Sequence, residues 1–168
     1  MSFWQVIGKN LLGFDLFIFL VALANGVCYY FARQYTDQLY KKLHLIVFVP
    51  SHRARPEKLA KTLKELDEGS VVALRKKSES FYSVFANLTA IFPLLGILGT
   101  VVSLLPMVAD MADMQQNFFA ALTSTFWGLV FAILFKLLDG FLSSKIEDND
   151  KNVNLLLERR KLLEEEKT

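Results

Sequence analysis

Cysteine is almost absent from the 168-residue chain: Cys28 stands alone, so no internal disulfide can form. Its place inside an apolar stretch reads as a small buried hydrophobe rather than a reactive thiol. Histidine is scarce too, with only His44 and His52, both read as loop residues rather than catalysts. No Cys/His cluster has metal-ligand spacing, no glycine-rich loop follows a strand to cradle phosphate, and no repeat recurs. No base and nucleophile come together, so an enzyme is not expected. No metal, cofactor or nucleic-acid partner is called for either. Proline is rare, at 4 against 15 Phe, and 53% of the residues are hydrophobic. Such a composition excludes an ordinary small soluble domain of this length, for which a single domain is the prior.

What the chain does have is segregated charge. Charged residues make up 21% of it, yet three apolar stretches, about 11–32, 81–109 and 117–138, are nearly free of them. Each meets the roughly 20 apolar residues that cross a bilayer. Ala22-Leu23-Ala24 resembles a signal-peptide cleavage site. The apolar run continues through Val27, Cys28, Tyr29, Tyr30 and Phe31, so the segment reads as a retained span. The expected fold is one all-α membrane domain over 1–168: three transmembrane helices, a 33–80 loop and a 139–168 helical tail.

Orientation follows from the basic residues. The 33–80 loop carries eleven Lys/Arg and six Asp/Glu, with Arg33 just after the first span and Arg75, Lys76 and Lys77 just before the second. The connection between spans two and three holds Asp110 and Asp113 and no base. Positive charge stays in the cytoplasm, which puts the N-terminus outside and the loop and tail inside, with Trp4, Tyr29, Tyr30, Phe81 and Tyr82 at lipid interfaces. Within the loop, 57–66 reads as a short helix started by Pro56, and 43–49 as a strand or a buried segment ended by Pro50. The tail shows Val153, Leu156, Leu157 and Arg160 on one face, an amphipathic helix prolonging span three. Asp15 reads as interfacial. Lys136 and Asp139, three residues apart, are placed to pair.

Two stripes of small residues carry the functional reading. Gly96, Gly99, Thr100 and Ser103 in span two recur at helical spacing, as do Ala121, Ser124, Thr125, Gly128 and Ala132 in span three. Leu95, Leu98, Val102 and Leu105, then Phe119, Phe126, Trp127 and Phe131, are expected on the opposite faces. Small residues mark close helix approach in membranes, so simple packing is one reading. The other comes from depth: Thr100 and Thr125 lie some 12–15 Å below the outer boundary at about 1.5 Å per residue, so two hydroxyls share one level. No ionisable residue occupies the central turns of spans two and three. A proton pathway normally needs one, so the titrating carboxylate is expected from another chain.

Pro93-Leu-Leu-Gly96-Ile-Leu-Gly99-Thr100-Val resembles the second-span signature of the MotA/TolQ/ExbB proton-channel family, nearest its TolQ/ExbB branch. Ala121-Leu-Thr-Ser-Thr125-Phe-Trp-Gly128-Leu-Val-Phe-Ala132-Ile resembles that branch's third-span signature. The likeness covers about 85–144. Ser103, Ala120, Leu134, Lys136 and Asp139 depart from the branch pattern. The resemblance implies the ring-forming subunit, a homopentamer, of a proton motive force-driven motor in the bacterial inner membrane. The ring would house a dimeric single-span partner of the ExbD/TolR/MotB type whose membrane Asp carries the ion. Thr100 and Thr125 would line the path, with Gly96, Gly99, Ser103, Ala121, Gly128 and Ala132 beside them. A membrane scaffold whose stripes only pack helices is the competing expectation.

Overall fold

The structure, a computed structural model, describes residues 14–47, 68–109 and 114–165, and all of them are helical. Three helices follow in order: α1 (Phe14–Val47), α2 (Glu68–Ala109) and α3 (Met114–Glu165), of 34, 42 and 52 residues. All three are long and apolar enough to cross a membrane. The 57–66 helix, Trp4, Asp110 and Asp113 lie outside the described residues.

Helix runs past the ends of the apolar stretches. Residues 33–47 and 68–80, expected in a loop, belong to α1 and α2. The segment from Leu43 is therefore helix, not strand, as far as Val47, with Leu43 buried, and 48–49 lie outside the described residues. The cause lies in the spacing of buried positions. On α1 they are Asp15, Ile18, Ala22, Asn25, Ala32, Thr36, Leu39 and Leu43, stepping by three and four with only position 29 partly open. On α2, Val71, Ser78, Phe85, Phe92 and Gly99 recur every seven residues. This is the seam of left-handed helix packing. On α3 the rhythm shifts phase once, where Phe135 and Asp139 are both buried four residues apart, and then resumes to Leu156.

The chain packs as two units. Among the described residues, the first comprises 14–28, 83–109 and 114–139. Its outward positions are apolar, with Leu20, Leu23, Leu94, Ile97, Ile133 and Leu137 all more than half exposed. Its interior is partly polar: Asn25 donates to Thr89 Oγ1 at 3.0 Å, and Thr89 in turn donates to the Phe85 carbonyl at 2.8 Å. An aromatic group fills the rest, with Phe92 on Phe135 at 5.3 Å and Phe19 on Trp127 at 5.0 Å between ring centres. Pro93 and Pro106 sit inside α2. Each removes one helical hydrogen bond, a loss that neighbouring helices offset in membranes.

The second unit comprises, among the described residues, 29–47, 68–82 and 140–165. Leu39, Leu43, Val71, Val153 and Leu156 form one buried cluster, and Ala32, Leu142 and Ile146 another, with Tyr29, Phe81 and Tyr82 packed on it. The amphipathic face expected of the tail is thus in place. In water each fully buried Leu or Val contributes about 1.5–3 kcal/mol. Thr36 and Ser78 hydroxyls bond at 2.7 Å, and Asn149 donates to the Thr36 carbonyl at 2.9 Å. Arg75 gathers three partners: Glu79 at 2.8 Å, Asp150 at 3.1 Å and the Asn154 amide oxygen at 3.1 Å.

Candidate functional site

The two stripes meet where α2 crosses α3. A Cβ placed on Gly128 would lie 2.8 Å from Gly96 Cα and 2.8 Å from the Phe92 carbonyl oxygen. One placed on Gly96 would lie 3.2 Å from Thr125 Cα. The two backbones therefore touch, and only glycine lets them. Gly99 opens a second pocket: a Cβ there would be 2.5 Å from Ser124 Cβ and 2.7 Å from a Phe14 ring carbon.

Thr100 and Thr125 face each other across this crossing, hydroxyl to hydroxyl. Thr100 Oγ1 is also 3.0 Å from the Gly96 carbonyl and Thr125 Oγ1 3.3 Å from it. Each hydroxyl has one hydrogen and two lone pairs. One hydrogen thus serves the pair and the other the Gly96 carbonyl, which leaves free acceptor capacity. Both side chains are half-buried. The shared level expected of the two hydroxyls is what the helices produce. Thr123, two residues from Thr125, turns to the Ala120 carbonyl at 2.9 Å.

Of the remaining candidates, Gly96, Gly99, Ala121 and Gly128 are buried at the crossing, and Ser103 and Ala132 continue the stripes half-buried. The faces opposite are less clean than expected. Leu98, Val102, Leu105, Phe119 and Phe126 are exposed, but Leu95 is buried at 8% exposure. Trp127 and Phe131 are half-buried, and Phe19 packs on both at 5.0 and 5.2 Å.

Asp15, read from the sequence as interfacial, has surroundings that the sequence reading did not foresee: it is 2% exposed, and Ser124 donates to its Oδ1 at 2.5 Å. Ser124 adjoins Thr125, so Asp15 lies close in level to the threonine pair. Counting from the start of an apolar run could not reveal this. The three-and-four spacing from Asp15 to Leu43 was the available signal. Lys136 and Asp139 do pair, at 2.7 Å. No three His, Cys, Asp or Glu side chains converge on a metal position among the described residues.

The described residues thus form three long apolar helices, two of which cross at paired glycines beside a threonine hydroxyl pair. The MotA/TolQ/ExbB proton channel family matches over residues 32–154, and the chain belongs to that family. No curated protein and no solved structure matches it.

Proposed function

We propose that the chain is the ring-forming subunit of an ion motive force-driven membrane motor of the TolQ/ExbB-like branch. Five copies surround a dimeric single-span partner whose membrane Asp carries the proton. The observation that carries this reading is the half-buried Thr100–Thr125 pair inside the family-matched region. A hydroxyl pair with spare lone pairs can hold a carboxyl group or a water without itself titrating. Spans two and three line the centre, and span one lies outside. The N-terminus is outside the bacterial inner membrane, and the basic segment and tail are in the cytoplasm.

The test is Thr→Val at Thr100, Thr125 and Thr123, measuring yield of the complex and ion-driven work. Valine keeps the shape, and a hydroxyl bond between membrane helices contributes only about 0.6 kcal/mol on average. Assembly is therefore expected to survive at all three positions, with work falling sharply at Thr100 and Thr125 only. Equal, mild effects at the three positions would remove the path assignment. The backbone contact between Gly96 and Gly128 favours a second reading, a scaffold whose stripes serve packing alone. Co-purification of a single-span protein with a membrane Asp separates the two.

A further inference from the structure

Asp15 has surroundings that a packing role does not explain. The residues 14–32, 81–109 and 114–135 contain no other Asp, Glu, His, Lys or Arg. Asp15 is therefore the single such group in the apolar parts of the described helices, and no cation among them can neutralise it. Its Oδ1 takes the hydrogen of Ser124 at 2.5 Å, and its Oδ2 is buried without a hydrogen-bond partner among the described residues. An acidic residue in the first turn of a helix commonly serves that helix's own N–H groups and dipole. Here the carboxyl reaches a hydroxyl on another helix instead. A buried carboxyl oxygen without a hydrogen-bond partner is costly in an apolar interior, so Oδ2 is an open position for a proton. An ionisable residue inside a membrane is by default a functional position.

We propose that Asp15 is a proton-binding carboxyl belonging to this chain, held by Ser124 at about the level of the Thr100–Thr125 pair. The proton adds to Oδ2 and converts the carboxylate to the acid, while Ser124 keeps its bond to Oδ1. Gly99 makes the site possible, since any side chain there would meet Ser124 and Phe14. Asp15 precedes the family-matched residues 32–154, so the family match does not supply this role. Residues 81–109 and 114–135 supply no carboxyl; on this proposal span one does.

Dicyclohexylcarbodiimide, which reacts with protonated carboxyls in apolar membrane sites, tests this on the full chain in native membranes. Peptide mass spectrometry is expected to find the adduct on Asp15, its yield rising as the pH falls and unchanged when choline replaces sodium. Asp15→Asn keeps an oxygen for Ser124 and is expected to assemble normally. An unlabelled Asp15 at every pH overturns the proposal. So does protection by sodium, which would make the site a sodium site, and so does loss of assembly in Asp15→Asn, which would mean the charge is structural. None of these readouts requires motor activity, so they stand or fall separately from the motor reading.

Discussion

Replacing Gly128 by Ala adds one methyl group at the tightest point of the α2–α3 crossing. The new Cβ would lie 2.8 Å from Gly96 Cα, 2.8 Å from the Phe92 carbonyl oxygen and 2.9 Å from the Gly96 nitrogen. All three are backbone atoms, so no rotamer change relieves the contact. Carbon atoms pack best at about 3.5–4.0 Å, so the helices must part by roughly 0.7 Å or more. A gap of about that size forfeits a quarter to a half of each neighbouring van der Waals contact. It also pulls at the Thr100–Thr125 pair about one turn away. Overpacking costs about 1–3 kcal/mol, and an unyielding backbone places this site at the upper end. Alanine also gains up to about 1 kcal/mol over glycine in any helix interior. Gly26→Ala and Gly140→Ala isolate that gain, because a Cβ at either meets nothing within 4 Å. Melting of the detergent-solubilised protein, followed by size exclusion after heating, measures the difference. At about 2–4 °C per kcal/mol for chains of this size, Gly128→Ala is expected to melt roughly 6–12 °C below Gly26→Ala. Melting of the two together would refute the backbone contact.

The other predictions are brief. In a Cys28→Ala background, cysteines at Ser70 and Gln115 are expected to react with impermeant thiol reagents from opposite sides of the membrane; reaction from one side only would end the three-span topology. Asp150 lies beyond the third apolar stretch, 117–138. Burial, joined by repulsion from Glu79, raises its pKa above the usual 3.8 despite the opposing pull of Arg75. A carboxyl whose folded pKa is raised binds its proton more readily folded than unfolded, so its contribution to stability grows on acidification and is lost as pH rises through the raised value. Asp150→Asn removes that gain, so stability is expected to fall more steeply on acidification than in the parent protein, and an unchanged slope would contradict the cause given.

Much of this was legible beforehand, and the part that was not shares one reason. Hydropathy located the three spans because outward side chains such as Leu23, Leu94 and Ile133 are apolar wherever they stand. The Gly/Thr stripes were legible because small residues at helical spacing have few other uses in a membrane. The helical extensions at 33–47 and 68–80 were hidden because Thr36 and Ser78 occupy seam positions where an apolar residue is expected. The 2.7 Å bond between their hydroxyls satisfies both once the helices meet, which no single-helix pattern reveals. Asp15 was hidden in the same way by its pairing with Ser124.

The same three-and-four seam is built from opposite chemistries in the two units. Along α1, Asn25 is buried while Leu23 is exposed; further on, Leu39 is buried while Lys41 is exposed. In the first unit the outward face is already apolar, so burying more apolar surface gives helices no reason to prefer one mutual face. Close backbone approach and hydrogen bonds must choose it. Asp15 with Ser124, Asn25 with Thr89, Thr100 with Thr125 and Gly96 with Gly128 supply them. In the second unit the outward face carries Lys41, Lys42, Lys76 and Lys77, and burial of Leu39, Leu43, Val71, Val153 and Leu156 supplies the preference directly. The exchange of polar and apolar roles along α1 falls between Asn25 and Leu39. That interval contains the end of the first apolar stretch and Arg33, the residue from which the basic segment was read as cytoplasmic. A helix leaving lipid for water should reverse its polarity there, and α1 does.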